Sequence, residues 1–260
     1  MLIDAHVHMD RYEGELASAL EEIRLNRIFT VSTSMSIPSY QRTLEIAAEC
    51  ENMLPIFGVH PWNASGYSGC LEELDPHIDR SPMLGEIGLD YHYVKHAHRY
   101  PAQRKVFEHF LAAAARKDKV VNVHTKGAEA DVLKLLDQYG LTRVIVHWYS
   151  GPEDVLAEMI LRGFYFTIGV EVTESEEIRA IALKIPEHRL LSETDNPGAL
   201  KWLSGSPGMP AGIRTVVEAL AGLRRTTPEA IERVVQANFM ALVANDSWLP
   251  EAQRRLLKSS

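Results

Sequence analysis

The sequence predicts an α/β protein of the (β/α)8 barrel class, and three observations carry that prediction. Short apolar or β-branched runs alternate with helix-length amphipathic segments along all 260 residues, a pattern that implies parallel strands joined by helical crossovers. Several runs are apolar on both faces, as in Val144-Ile145-Val146 and Phe164-Tyr165-Phe166, which a parallel sheet covered on both sides requires. Eight strand–helix units in about 245 residues match the size of a barrel. An open doubly wound sheet usually carries a glycine-rich first turn, and none follows the first strand here.

The elements follow in order. The first strand covers Leu2–His8 and its helix Glu15–Asn26. Arg27–Ser34 is the second strand, and Pro38 opens the helix Ser39–Cys50. Met53–His60 is the third, with a weaker helix over Leu71–Asp79. Met83–Asp90, the fourth, leads into a long helix from Ala102 to Lys117. Val120–Thr125 is the fifth, and its helix over Ala128–Tyr139 stops at Gly140, a residue suited to a helix end. Arg143–Tyr149 with Glu153–Leu161 makes the sixth unit, and Phe164–Val170 with Ser175–Lys184 the seventh. Arg189–Asp195 is the eighth strand, and helices Ile213–Leu223 and Pro228–Ala244 close the chain. Gly198–Pro210 reads as an irregular segment over the barrel mouth. No linker or repeat marks a second domain, so residues 1–260 are taken as one.

Composition narrows the function. With 46% hydrophobic residues the chain has the material for a large core and is not disordered. Its net charge of −8 confines any nucleic-acid contact to a local basic patch. Cys50 and Cys70 form no CxxC motif, which excludes a disulfide-stapled scaffold and points to a reducing compartment. The start Met-Leu-Ile-Asp-Ala-His is not a positively charged n-region followed by an apolar stretch, and no run approaches the ~20 apolar residues of a membrane span. The expectation is a cytoplasmic protein with no membrane contact and no obligatory protein partner.

The ionisable residues gather at strand ends. His6 and His8 stand two apart, so strand alternation sends both imidazoles to one side. His60 ends the third strand, Glu86 lies on the fourth, His124 ends the fifth, His147 the sixth and Asp195 the eighth. A (β/α)8 barrel brings its strand C-termini to one face, where active sites sit. Alone, each of these residues is more often hydrogen-bonded filler than a ligand. Together, so many buried ionisable groups are costly without a compensating cation. Imidazole and carboxylate without thiolate suit Zn, Mn, Fe, Co or Ni, and admit Mg. Six of them, His6, His8, Glu86, His124, His147 and Asp195, exceed the needs of one catalytic ion with an open position, and two ions ~3.5–4 Å apart use them all. Water on such ions loses its proton near neutral pH and becomes a hydrolytic nucleophile.

These residues sit in motifs that resemble a known family. Asp4-Ala5-His6-Val7-His8-Met9-Asp10 is similar to the D-x-H-x-H-x-D opening of the TatD-type metal-dependent hydrolases of the amidohydrolase superfamily. Gly58-Val59-His60-Pro61, Gly85-Glu86-Ile87-Gly88-Leu89-Asp90-Tyr91, His147-Trp148-Tyr149-Ser150-Gly151, Glu193-Thr194-Asp195-Asn196-Pro197 and Asn238-Phe239 resemble its later motifs, in order along the chain. The resemblance implies a barrel with two divalent cations. His6 and His8 hold the more buried ion, Glu86 bridges, and His124 and His147 hold the second. Asp195 binds the first ion and accepts a proton, so that Asp195 and Glu86 are the catalytic residues. It also implies a deoxyribonuclease, often a 3′-to-5′ exonuclease. Two departures bear on substrate: Thr125-Lys126-Gly127-Ala128 replaces S/T-R-[DE]-A, and Gly205–Pro210 replaces an N-E-P segment.

The expected substrate is a single-stranded DNA end. Tyr91–Lys105 interleaves aromatic rings with cations, as a single-strand groove requires, and a solvated loop with a first helical turn is the competing reading. His60, Lys95, Arg99 and Lys126 are the candidate substrate contacts. Glu193 is read as support for a ligand or loop, and Trp202 as loop packing. The alternatives are a hydrolase of small amides, lactones or phosphoesters on the same two-metal site, and a binding protein with a dead metal site. All six ligand positions keep liganding residue types, which counts against the last.

Overall fold

The computed structural model describes residues 1–247 and Arg254. Strands and helices alternate as the sequence predicts: β1 (Leu2–Val7), α1 (Leu16–Leu25), β2 (Ile28–Thr33), α2 (Ile37–Ala47), β3 (Met53–Ile56), α3 (Asp75–Arg80), β4 (Leu84–Asp90), α4 (Tyr100–Lys117), β5 (Val121–Lys126) and α5 (Glu129–Gln138). There follow β6 (Val144–Val146), α6 (Glu153–Leu161), β7 (Tyr165–Ile168), α7 (Glu176–Lys184), β8 (Leu190–Ser192), α8 (Gly198–Ser204), α9 (Ile213–Arg224) and α10 (Pro228–Val243). Among the described residues no helix is long and apolar enough to cross a membrane.

The third, sixth and eighth strands are shorter than the sequence reading has them, so His60, His147 and Asp195 lie in the turns beyond their strands, and three helical segments depart from it as well. The segment after Pro197 is no irregular loop at its start, because Ala199, Leu200 and Lys201 are good helix formers and α8 runs to Gly205, whose φ of 83° ends it. The weak helix near residue 71 splits into a 3-10 turn, Leu71–Glu73, and α3, which Pro76 opens. The long fourth helix starts earlier, at Tyr100, because Pro101 suits a first helical turn.

The fold divides into two compact units. The first comprises residues 1–32, 42–55 and the described residues from Phe166 on. In it β1 pairs parallel with β2, from Leu2 opposite Ile28 to Val7 opposite Ser32, and β7 pairs parallel with β8. The last strand lies beside the first: Ser192 Oγ donates to Ile3 O at 2.6 Å. α1 turns Ala19, Leu20 and Ile23 onto Val7, Met9, Tyr12, Ile46 and Met53. Their spacing of three and four is that of one helix face. Each fully buried Leu or Ile there contributes about 1.5–3 kcal/mol.

The second unit comprises residues 33–41 and 56–165. Here β4 pairs parallel with β5, β5 with β6, and Phe57, just past β3, bridges to Leu84. α4 buries Gln103, Val106, Phe107, Phe110, Leu111 and Ala114, a stripe again spaced by threes and fours. Gly58 is required by close approach, since a Cβ there would overlap the backbone of Gly85 and Glu86. Gly88, at φ 151°, lies against the backbone of His124, where a side chain would overlap it as well. These two glycines let the strands that carry Glu86 and His124 pack without a gap.

Candidate functional site

In the first unit, β1 and the turn after β8 assemble a trio. His6 Nε2 lies 3.7 Å from Asp195 Oδ1, and His8 Nε2 lies 3.3 Å from the same oxygen. Both imidazoles reach one carboxylate, as the two-residue spacing predicts. One atom from each of the three falls within 4.8 Å of the others. His6 and His8 are buried. Asp195 adopts φ 49°, a left-handed conformation that Asp tolerates better than most residues. Main-chain bonds pin it there: Asp195 N–H donates to His6 O at 2.9 Å, and His8 N–H to Asn196 O at 3.0 Å.

Asp4 braces this trio from beneath. Its buried carboxylate accepts from Thr194 N–H at 2.9 Å and from Thr194 Oγ1 at 2.6 Å. Burial pushes the Asp4 carboxyl up to about 7, against the lowering effect of the Thr194 hydrogen bonds.

In the second unit, three imidazoles converge on one carboxylate oxygen. Glu86 Oε1 lies 2.9 Å from His124 Nδ1, 3.4 Å from His60 Nε2 and 3.6 Å from His147 Nε2. All four residues are buried. His124 has a second carboxylate, with Asp90 Oδ2 3.1 Å from its Nε2. Burial alone lowers the His124 pKa, but the hydrogen bonds to Asp90 and Glu86 outweigh it and the net shift is upward. Asp90 is shifted the other way. Burial raises it, and the bonds to His124, Trp62 and Tyr93 N–H together hold its carboxyl well below the usual carboxylate range.

His60 differs from its neighbours. Its Nδ1 accepts from Trp62 N–H at 3.2 Å. A neutral imidazole that accepts at Nδ1 carries its proton on Nε2, so His60 faces Glu86 as a donor. That tautomer suits a hydrogen-bond role better than a ligand role, although one ligand atom each of His60, Glu86 and His124 lies within 4.8 Å of the others.

The donor chemistry fits metal ions. Nitrogen and carboxylate ligands without sulfur suit Zn, Mn, Fe, Co, Ni or Mg. An imidazole enclosed by two buried carboxylates suits a bound cation between His124 and Glu86, with Asp90 left to orient the imidazole as outer carboxylates do at metal-ligating histidines.

Asp90 and Gln103 carry roles that sequence reasoning missed. Asp90 Oδ1 accepts from the N–H groups of His92 and Tyr93 at 3.0 and 2.7 Å, while Oδ2 accepts from Trp62 Nε1 at 2.7 Å. The buried Gln103 amide holds the Asp90 main chain on both sides, accepting from its N–H at 2.9 Å and donating to its C=O at 3.0 Å. Asp90 was visible inside the fourth-strand motif, but nothing in the sequence paired it with Gln103 or Trp62.

The candidate substrate contacts are dispersed. Lys95 and Arg99 line a pocket of about 390 Å³ together with Trp62, Tyr93, Val94 and His96. Arg99 also donates to Trp62 O at 2.8 Å. Lys126 donates to Trp148 O at 2.8 Å and to Ser150 Oγ at 2.7 Å, its ammonium 5.1 Å from the Trp148 ring centre. Within Tyr91–Lys105, Tyr91 and Tyr100 stack on each other at 4.1 Å, and Lys105 donates to Ser68 O at 2.7 Å. Those groups serve the fold, which leaves Tyr93 as the exposed tyrosine of that segment, at 46%. Trp202 lies on α8 and is 62% exposed. Glu193 is fully buried, and a Cβ on Gly169 would touch its carboxylate.

A (β/α)8 scaffold with clustered imidazoles and carboxylates at its strand ends defines a metal-dependent hydrolase. The family model described as TatD related DNase matches residues 3–244, and the chain belongs to that family. It is 28% identical over 254 residues to YabD of Bacillus subtilis (strain 168), described as an uncharacterized metal-dependent hydrolase, over 93% of this chain and 98% of that protein. It is 24% identical to the deoxyribonuclease TATDN3 of Homo sapiens, over 93% of this chain and 94% of that one. In structure it resembles YJJV, a TatD homolog from Escherichia coli K12, with a TM-score of 0.83 at 24% identity over 93% and 97% of the two chains. The Escherichia coli phosphotriesterase homology protein is more distant, with a TM-score of 0.64 at 16% identity over 90% and 94%.

Proposed function

We propose that this protein is a two-metal deoxyribonuclease that hydrolyses phosphodiester bonds at the end of single-stranded DNA, in the 3′-to-5′ sense. The observation that carries the reading is the pair of imidazole–carboxylate clusters: His6 and His8 on Asp195, and His124 and His147 on Glu86. One ion is assigned to His6, His8 and Asp195 and the other to Glu86, His124 and His147, in a single domain. Divalent cations, when bound, bring the pKa of water from ~15.7 toward ~7 and stabilise charge on a phosphoryl group. Asp195 takes the proton of the attacking water and returns it to the departing sugar oxygen. The bond from water oxygen to phosphorus forms as the bond from phosphorus to the sugar oxygen breaks, so one water is consumed and the protons balance. His60, Lys95, Arg99 and Lys126 are assigned as the substrate contacts. A cytoplasmic location belongs to the same reading and is supported by Cys50 and Cys70, which form no disulfide.

The DNA assignment draws on the family and on a relative described as a deoxyribonuclease. The test is a turnover panel on protein reconstituted with each of Mn, Mg, Zn and Co. Expected is metal-dependent release of mononucleotides from single-stranded oligonucleotides. Brisk turnover of amides or lactones with no DNA cleavage transfers the assignment to a small-molecule hydrolase.

A further inference from the structure

Beside the Glu86 cluster, Trp62 makes three kinds of contact at once. Its main-chain N–H donates to His60 Nδ1 at 3.2 Å and sets that tautomer. Its indole N–H donates to Asp90 Oδ2 at 2.7 Å, the oxygen that lies 3.1 Å from His124 Nε2. Its ring, 42% exposed, forms a wall of the pocket lined by Tyr93, Lys95, His96 and Arg99. Tyr93 closes another side, its ring centre 6.0 Å from that of Trp62. The main chain of Tyr93 is tied to Asp90 as well, through its other carboxylate oxygen.

Two exposed rings with Lys95, His96 and Arg99 around them select a flat aromatic group that bears a negative charge. A pocket of about 390 Å³ lies within the ~300–1,000 Å³ of small-molecule sites. Aromatic platforms hold unpaired bases by stacking without regard to sequence, and cations beside them hold the phosphate. We propose that this pocket seats one unpaired base of the DNA end, and that Trp62 is a positioning residue whose indole N–H, through Asp90, fixes His124. The proposal rests on the deoxyribonuclease reading and deepens it. The base and the metal-facing histidine are then governed by one side chain, so an occupied pocket and an ordered His124 accompany each other.

The two halves separate by mutation. Trp62→Phe keeps an aromatic wall and the main-chain N–H to His60 but removes the donor to Asp90. Trp62→Ala removes the wall too. Steady-state cleavage of oligonucleotides with a normal or an abasic residue at the pocket position reads the base contact. Metal competition titration reads the hold on His124. For the wild type, the abasic end is expected to raise KM about tenfold, the size of one lost stack. Trp62→Ala abolishes that difference. Trp62→Phe keeps the difference but weakens metal binding about tenfold, the lower end for loss of an outer hydrogen bond. Equal KM for the two ends in the wild type overturns the base pocket. Unchanged metal affinity and kcat in Trp62→Phe overturn the positioning role.

A third measurement guards against failure of the deoxyribonuclease reading itself. In chelator-treated protein, the indole ¹⁵N–¹H signal that is missing from Trp62→Phe is followed during titration with dTMP. A saturable shift sustains the nucleotide pocket even if no DNA is cleaved, and no shift overturns it.

Discussion

Thr194, the residue before Asp195, is held by the carboxylate of Asp4, which receives both its N–H at 2.9 Å and its hydroxyl at 2.6 Å. Asp4 stands two residues before His6 on β1. The same side chain therefore joins the backbone that carries two candidate ligands to the backbone that carries the third. The Thr194 hydroxyl in turn accepts from Asn196 N–H at 3.3 Å, so the sharp turn at Asp195 is clamped on both sides.

Because burial lifts Asp4 to about 7 from an ordinary 3.8, the folded state of the metal-free protein holds this proton more tightly than the unfolded chain. The associated stability is fully present below about pH 4 and is lost as the pH rises through about 7, by on the order of 2–4 kcal/mol. Asp4→Asn keeps an acceptor for the Thr194 amide and cannot ionise. Urea midpoints of chelator-treated protein at pH 5 and pH 8 should fall between the two for the wild type and change less for the variant. Equal changes would remove Asp4 from the pH dependence.

Metal content is the second prediction. Protein reconstituted and desalted should hold two divalent ions per chain by elemental analysis. His8→Ala and His147→Ala, each from a different cluster, should each retain one. A ligand present at about 100 times its Kd stabilises the fold by about 2.7 kcal/mol, so chelation should lower Tm in the wild type more than in either variant. One ion in the wild type would refute the two-metal reading.

The sequence carried the site further than it carried the site's support. His6 and His8 were legible because strand alternation alone decides that they face together, and Asp195 converges on them. The eight-unit rhythm was legible because hydrophobic spacing is local. The α8 helix was hidden because a seven-residue helix starts at a glycine directly after Pro197. Roles that need a distant partner were not legible at all. Gln103 grips Asp90 from another element, and Trp62 reaches Asp90 across 28 positions. The interleaved rings and cations of Tyr91–Lys105 left two readings open for a related reason: spacing cannot tell an exposed ring such as Tyr93 from the internal stack of Tyr91 on Tyr100.

Asp195→Asn tests the proton acceptor. Asn tolerates a φ of 49° about as well as Asp, and the main-chain bond to His6 O is untouched by the change. The fold should therefore survive, with Tm near that of the wild type. Loss of general acid–base help costs ~10²–10⁴ in rate, and kcat should fall by at least the lower figure. Turnover close to wild type with both ions bound would reject the assignment.

The salt dependence of DNA binding gives the last prediction. A chain with a net charge of −8 repels DNA over most of its surface, so affinity must come from a few local cations. Lys95 and Arg99 border the Trp62 pocket, and they stand out in their segment because Lys105 is spent on Ser68 O and Arg104 pairs with Glu108 at 2.9 Å. Each phosphate neutralised on a single strand adds about 0.7 to the slope of log affinity against log salt. The double variant Lys95→Ala, Arg99→Ala should flatten that slope by about 1.4, measured by fluorescence anisotropy with catalysis blocked by chelator. Arg99 also braces Trp62 O, so the single variant Lys95→Ala isolates the charge, with an expected change of about 0.7. A weaker affinity at an unchanged slope would show that these residues shape the pocket without touching phosphate. A smaller slope in both variants would place the strand along Tyr93–Arg99, on the approach to the Glu86 cluster.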